Sequence, residues 1–175
     1  MYAGLADEST SLKPTMEIRA LLASDGPAIH RSLLGDPAIA AWLGSSGPFT
    51  PAECEEMVRR KVAHRTAHGF GWSLGWEADT CVGWGIAQYC IVDGLTEIEI
   101  GWSVARACWR RGIATRLGRH ALTEVRALDL RSVVAYTRVD NVASRGVMAK
   151  LGMSWEKSFD HHGQPHVLYR KWLTG

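Results

Sequence analysis

Apolar and polar positions along the chain follow two different periods, strand-like in places and helical in others. Met16 to Leu22 alternates as a strand does. Ser24-Asp25-Gly26-Pro27 is a helix start with proline near the first turn, and it predicts a helix to about Leu34. Gly35-Asp36-Pro37 breaks that helix, and a short helical piece carrying Ile39 and Trp42 follows. After the loop Gly44-Ser45-Ser46-Gly47-Pro48, Thr50 can cap a helix, Pro51 takes its first position and Glu53 completes a capping box. This helix is expected to reach about His68, where Gly69 stops it. Gly71 to Glu77, Cys81 to Val92 and Leu95 to Val104 read as strands, joined by Ala78-Asp79-Thr80 and Asp93-Gly94. Asp-Gly between two such runs is a hairpin signal, so the three form an antiparallel meander.

After Val104 the pattern changes. Ile113, Leu117, Ala121, Val125 and Leu128 recur at helical spacing within Gly112 to Leu128. Ser132 to Thr137 reads as a buried strand, Asn141 to Leu151 as a helix ended by Gly152, and Trp155 to Phe159 as a strand. Gly163-Gln164-Pro165 turns into a last strand, His166 to Trp172. The strand–helix–strand unit from Leu95 to Thr137 demands a parallel crossover. The pattern describes a single mixed α/β domain over 16–175, preceded by a loose arm, 1–15, without periodicity.

Composition narrows the class. With 175 residues the chain is the size of one domain, and it can bury roughly 70% of its unfolded surface without disulfide or metal. At 46% hydrophobic and 22% charged residues it is neither disordered nor fibrous. Twenty basic against eighteen acidic residues give a formal charge of +2, which marks neither a nucleic-acid nor a membrane partner. Cys54, Cys81, Cys90 and Cys108 form no Cys-x-x-Cys pair and read as small buried hydrophobes. The first residues lack the basic-then-apolar pattern of a signal peptide, and no run approaches a membrane span, so a cytoplasmic protein is expected. Eight tryptophans predict a Trp-rich core or an aromatic-walled cleft.

The chemistry concentrates in Trp109-Arg110-Arg111-Gly112-Ile113-Ala114-Thr115, between a strand and a helix start. A helix N-terminus offers unpaired N–H groups and a positive dipole end, and Gly112 and Ala114 let an anion approach them. Arg106, Arg110, Arg111, Arg116 and Arg119 fall between Glu99 and Glu124 with no acidic residue among them, which suits a polyanionic ligand or else a solvated basic face. No Gly-Lys-Ser/Thr follows, so this is not a P-loop; Gly83-Trp84-Gly85 lacks a third glycine and lies inside a strand, so it is no dinucleotide fingerprint. Ile113 to Arg119 has the look of a helix-turn-helix start, but the helical period runs through Gly118 and strands flank it, leaving no recognition helix.

That segment resembles the acetyl-CoA-binding motif of the GNAT superfamily of N-acetyltransferases, Gln/Arg-x-x-Gly-x-Gly/Ala. It matches at Gly112 and Ala114, with Trp109 in the first position as in the ribosomal-protein alanine acetyltransferases (RimJ/RimL type). Ile98-Glu99-Ile100-Gly101-Trp102 is similar to that branch's preceding strand. Asn141-Val142-Ala143-Ser144 and Lys150-Leu151-Gly152-Met153 are similar to its downstream helix, and the Asp36-Pro37 and Phe49-Thr50-Pro51 helix starts also fit. The resemblance spans about 16–173. It implies a mixed, mostly antiparallel sheet of about six to seven strands with flanking helices and a splayed parallel pair at the acetyl-CoA site. It further implies that Trp102, Ser103 and Val104 line the pantetheine arm. Arg110, Arg111, Gly112, Ile113, Ala114 and Thr115 would hold the pyrophosphate through backbone N–H groups, Trp109 would belong to the same cofactor site, and Asn141 would touch the cofactor arm. No metal is implied, and the acetyl group would pass directly to an amine in a ternary complex. The partners would be acetyl-CoA and that amine, the protein a monomer or homodimer.

An amine attacks only when neutral, so a carboxylate near it is the natural base. Glu97, Glu99, Gly101 and Ser103 share one strand face. The resemblance puts Glu99 nearest the acetyl position, and Glu97 is the alternative. Many superfamily members carry a tyrosine as acid seven residues after the motif asparagine; here Met148 stands there, and Ser144 is the branch's candidate. Trp42 and Phe49 fall where the branch admits its acceptor. His64 and His68, four apart, lack the glutamate of a zinc helix and read as a surface pair; His161, His162 and His166 either border the acceptor mouth or are solvated. The acceptor is a protein N-terminal amine or a small-molecule amine of aminoglycoside or polyamine type. A non-catalytic acyl-CoA-binding regulator is the remaining alternative, and acetyl-CoA turnover separates it from an enzyme.

Overall fold

The structure is a computed structural model that describes residues 15–173. The 1–15 arm therefore lies outside the described residues but for its last position. In chain order the elements are β1 (Glu17–Ala20), α1 (Gly26–Ile29), α2 (Pro37–Trp42), α3 (Pro51–His68), β2 (Ser73–Glu77), β3 (Thr80–Val92), β4 (Leu95–Val104), α4 (Ile113–Arg126), β5 (Ser132–Arg138), α5 (Val142–Lys150), β6 (Ser154–His161) and β7 (Gln164–Trp172). The strands form one sheet in the order β1-β2-β3-β4-β5-β7-β6. Every neighbouring pair is antiparallel except β4–β5, the crossover pair expected from the pattern. Among the described residues no helix is long and apolar enough to cross a membrane.

Local signals explain most boundaries. Thr50 Oγ1 accepts from the Glu53 N–H at 3.3 Å and Glu53 accepts from the Thr50 N–H at 2.7 Å, so the capping box forms. Gly69 ends α3 with φ +78°. Asp93 and Gly94 both take positive φ, as the tight β3–β4 hairpin requires. Two expectations change. The helix begun at Gly26 widens into a π-type turn over His30–Leu34, closed by the Gly35 N–H on the His30 carbonyl at 2.8 Å. A Cβ on residue 35 would meet that same oxygen at 2.8 Å, so only glycine fits. The last turn is His162-Gly163 rather than Gly163-Gln164-Pro165, because those two take positive φ and Gln164 already pairs with His161.

The largest apolar cluster packs Ile29, Leu33 and Val58 of the first helices with Trp72, Trp84 and Leu117. Trp72 and Trp84 stack with centroids 5.1 Å apart. A second cluster joins α4 and α5 to the sheet through Ile98, Ile100, Leu122, Val125 and Met148. What positions the site is how low α4 sits. A Cβ at residue 85 would lie 2.9 Å from the Leu117 carbonyl oxygen, and one at residue 118 would lie 2.6 Å from Leu151. Gly83-Trp84-Gly85 therefore serves helix–sheet approach. Cys54, Cys81 and Cys108 are buried, Cys90 is half-buried, and all four are free thiols.

Candidate active site

The sheet opens at its parallel pair. β4 and β5 share a single registered pair, Glu99 with Val134, and then part. Beyond it, Gly101 to Val104 pair with β3 on one side, at Ile86 to Gly83, and have no strand on the other among the described residues. Their outward backbone groups face the gap left where β5 parts from β4. The indole N–H of Trp109 donates to the Val104 carbonyl at 2.7 Å and closes the narrow question of where the strand ends.

α4 begins at the wide end of that gap. The N–H groups of Arg110, Arg111, Gly112, Ile113, Ala114 and Thr115 have no acceptor among the described residues. Arg110 (φ +63°) and Gly112 (φ +81°) are both left-handed, which turns successive N–H groups to one side. A Cβ at residue 112 would meet nothing within 4 Å, so the cradle is open. Six donors at a helix N-terminus fit a pyrophosphate, and the free edge of Gly101 to Val104 fits an amide-bearing arm beside it. The arginines need correction. Read along the chain they lack counter-charges, but other elements supply them. Arg106 pairs with Asp36 at 3.0 Å and Arg111 with Glu77 at 2.8 Å, while Arg116 donates to the Met16 carbonyl at 2.8 Å. Arg110 and Arg119 make no ion pair among the described residues.

At the narrow end lies Glu99, 9% exposed. Its Oε2 accepts from Gln88 Nε2 at 3.0 Å and from the Tyr136 hydroxyl at 3.4 Å. Its Oε1 has no hydrogen bond among the described residues, and the nearest position on its own strand face is Gly101, which has no side chain to cover it. Burial raises the Glu99 carboxyl above its ordinary value, against the pull of Gln88, Lys61 and Tyr136. Burial likewise pushes the Tyr136 phenol up, with the Glu99 charge adding to it. Glu97 differs sharply from its neighbour: Arg170 holds it through two hydrogen bonds, at 2.8 and 3.1 Å, and Arg170 also binds Glu156.

The remaining candidates separate. Asn141 caps α5, its Oδ1 accepting from the Ser144 N–H at 3.0 Å, so its side chain is engaged and its amide NH₂ remains. The Ser144 hydroxyl has no partner among the described residues and is half-buried. Met148 is 2% exposed, packed in the second apolar cluster. Phe49 leans on the first cluster, whereas Trp42 is 42% exposed with the Arg138 guanidinium 5.0 Å from its ring centre. His161 and His166 stand with Phe159 around Tyr136, their ring centres 5.0 and 6.2 Å from it. Lys61, Gln88 and Tyr136 escape a reading by sequence. Gln88 faces Glu99 only through the β3–β4 register, and Tyr136 lies two residues beyond Val134 on the neighbouring strand.

Solved structures share this fold. The Salmonella typhimurium protein yncA, solved with its cofactor acetyl-CoA, aligns at TM-score 0.75 and 18% identity over 91% of this chain and 94% of its own. The ribosomal-protein-S5-alanine acetyltransferase of Vibrio fischeri aligns at 0.74 and 18%, over 90% of this chain and 92% of its own. The ribosomal-protein-alanine N-acetyltransferase of Brucella melitensis aligns at 0.73 and 18%, over 90% and 99%. The family model of the acetyltransferase (GNAT) domain matches residues 15–154. The chain belongs to the GNAT acetyltransferases and draws its acetyl group from acetyl-CoA.

Proposed function

We propose that the protein acetylates a protein N-terminal α-amine, with Glu99 as base and Ser144 as acid. Acetyl-CoA, when bound, supplies an acetyl group activated as a thioester. The N–H groups from Arg110 to Thr115 would bind its pyrophosphate, and the free edge at Trp102, Ser103 and Val104 would hold the arm. The observation that carries the reading is Glu99 Oε1: an uncommitted carboxylate oxygen where β4 and β5 part. It takes the proton of the incoming ammonium, directly or through water. An α-amine, with a pKa of about 7.7–8.0, yields that proton at neutral pH far more readily than a lysine at about 10.4. The Ser144 hydroxyl, one turn before Met148 on α5, is free to give a proton to the departing thiolate.

Charge around the cleft favours a protein terminus over a polycationic small molecule. A polyamine or aminoglycoside calls for free carboxylates, yet Asp36, Glu97 and Asp140 are each paired with an arginine. Two structural neighbours bear names of ribosomal-protein alanine acetyltransferases, which agrees with such an acceptor. The test is an acceptor screen with acetyl-CoA: peptides beginning with alanine or serine, free polyamines and aminoglycosides. Turnover on the peptides alone is expected. Turnover on polyamines or aminoglycosides alone replaces this acceptor, and acetyl-CoA binding without turnover on any amine replaces the enzyme by an acyl-CoA-binding regulator.

A further inference from the structure

Glu99 is held from behind by a chain of polar groups that starts on α3. Lys61 Nζ donates to Gln88 Oε1 at 2.6 Å, and the Trp72 indole N–H donates to the same oxygen at 3.1 Å. Gln88 Nε2 donates to Glu99 Oε2 at 3.0 Å. Two donors converge on Oε1, so the amide has one permitted orientation: its oxygen faces Lys61 and Trp72, and its NH₂ faces the carboxylate. Gln88 and Glu99 are registered partners on adjacent strands, which holds the amide directly opposite. Lys61 is half-buried and points its ammonium at this amide. Its ammonium lies 5.1 Å from the Trp72 ring centre, tucked between ring and amide.

Nothing in acetyl transfer requires a lysine here, and even a half-buried ammonium is costly unless it interacts with something. What it meets is the polar end of an amide whose other end touches the buried carboxylate. A positive charge on the amide oxygen polarises the N–H groups toward Glu99 and strengthens their hydrogen bond to the charged form. Both donors to the carboxylate also use one oxygen, Oε2, which leaves Oε1 without a hydrogen bond among the described residues.

We propose that Gln88 and Lys61 are positioning residues of the acetyl transfer: Gln88 pins Glu99 Oε2 so that Oε1 takes the proton, and Lys61, acting through the Gln88 amide, keeps the buried carboxylate ionised. This rests on the reading of Glu99 as base. The other groups facing Glu99 are few. Tyr136 donates from β5, Cys90 stands beside it on β3 with its thiol pushed up by burial to about 12, and Glu97 on its own strand is neutralised by Arg170 from β7. His161 and His166 contact Tyr136 and stand one residue removed. Burial lowers the Lys61 ammonium while the Glu99 charge raises it, which agrees with two groups that feel each other.

The experiment follows the Glu99 carboxyl by ¹³C NMR in protein labelled at glutamate Cδ, the Glu99→Gln variant identifying its resonance by loss. Lys61→Met, of similar length without charge, is expected to move the titration midpoint up by about one pH unit. Lys61→Arg restores the charge and returns the midpoint toward that of the natural protein. Gln88→Leu also raises it, and adding Lys61→Met to Gln88→Leu then moves it far less than in the natural background. A midpoint unmoved in folded Lys61→Met overturns the proposal, as does a Lys61 effect of full size in the Gln88→Leu background. The acidic limb of kcat/KM, measured with acetyl-CoA and a peptide beginning with alanine, is expected to move with the midpoint. A midpoint that moves while the limb stays fixed overturns the base reading instead, together with the catalytic part of this one. An unmoved midpoint beside an inactive Glu99→Gln overturns this proposal and leaves the base reading standing.

Discussion

Glu99 is nearly enclosed, and enclosure raises its carboxyl above the ordinary range. Folding therefore favours the protonated form relative to the unfolded chain, while the carboxylate still ionises as pH rises. Relative to the unfolded chain, Glu99 contributes stability that is fully present below the unfolded value of about 4.3 and is lost as pH rises through the higher folded value. Replacing it by the neutral isostere reverses that loss. Glu99→Gln is expected to melt higher than the natural protein at pH 8, by about 2–4 °C if the gain is about 1 kcal/mol, and to show no gain near pH 4. Thermal scans at the two pH values check this. The same variant should turn over slowly at pH 7, with the deficit shrinking toward pH 9 as neutral amine forms unaided; natural turnover at pH 7 removes Glu99 from the role. Ser144→Ala is expected to slow kcat by roughly tenfold to a hundredfold with acetyl-CoA affinity unchanged. Paired kinetics and calorimetry decide it, and full turnover would make the serine structural.

At the scale of elements, the cradle depends on how α4 begins. Gly112 is the N-cap at φ +81° with open space around its missing Cβ. A Cβ there meets no atom of the protein within 4 Å, beside the N–H groups proposed to hold the anion. Gly112→Asp costs the fold little, about 1–2 kcal/mol for a left-handed non-glycine residue. Its carboxylate competes for the six N–H groups and repels a phosphate. Acetyl-CoA affinity is expected to fall at least tenfold while the melting temperature drops by only a few degrees. Calorimetry showing unchanged affinity counts against the cradle as the phosphate site.

At the scale of the whole molecule, the two ends of the site are set by one packing fact: α4 lies directly on the sheet at glycines. Gly85→Ala would place a Cβ 2.9 Å from the Leu117 carbonyl, a backbone atom that moves only with the helix. The variant is expected to lose about 1–3 kcal/mol and to weaken acetyl-CoA binding as well, because lifting α4 lifts the cradle off the end of β4. Denaturant unfolding and acetyl-CoA calorimetry on one preparation measure both. A stability loss with undisturbed affinity would mean that the helix gives locally and leaves its N-terminus in place. On the opposite side of the sheet α3 is tied in similarly: Arg65 binds the Trp72 carbonyl, Ser73 and Glu124 of α4.

Much of this architecture is written locally. The capping box at Thr50 and Glu53, the hairpin at Asp93 and Gly94, and the helical period through Gly118 each depend on residues a few positions apart, so chain order alone determines them. The cradle is of the same kind, six consecutive residues, Arg110 to Thr115, whose N–H groups have no acceptor among the described residues. The His162-Gly163 turn shows the limit of such reading. Pro165 pulls the eye one residue downstream, but strand pairing with β6 settles the register. Charges show it more strongly: Arg106 and Arg111 look free along the chain and find Asp36 and Glu77 seventy and thirty-four residues away. The surroundings of the proposed base, Glu99, are wholly tertiary. Glu97 and Glu99 are equivalent in the alternating pattern, and only Arg170, delivered by β7, neutralises the one and not the other. Gln88 and Tyr136 reach Glu99 from two strands and Lys61 stands behind Gln88 on α3, because a carboxylate's charge state is decided by what surrounds it in space, whereas helix starts and hairpins are decided by what precedes and follows them in the chain.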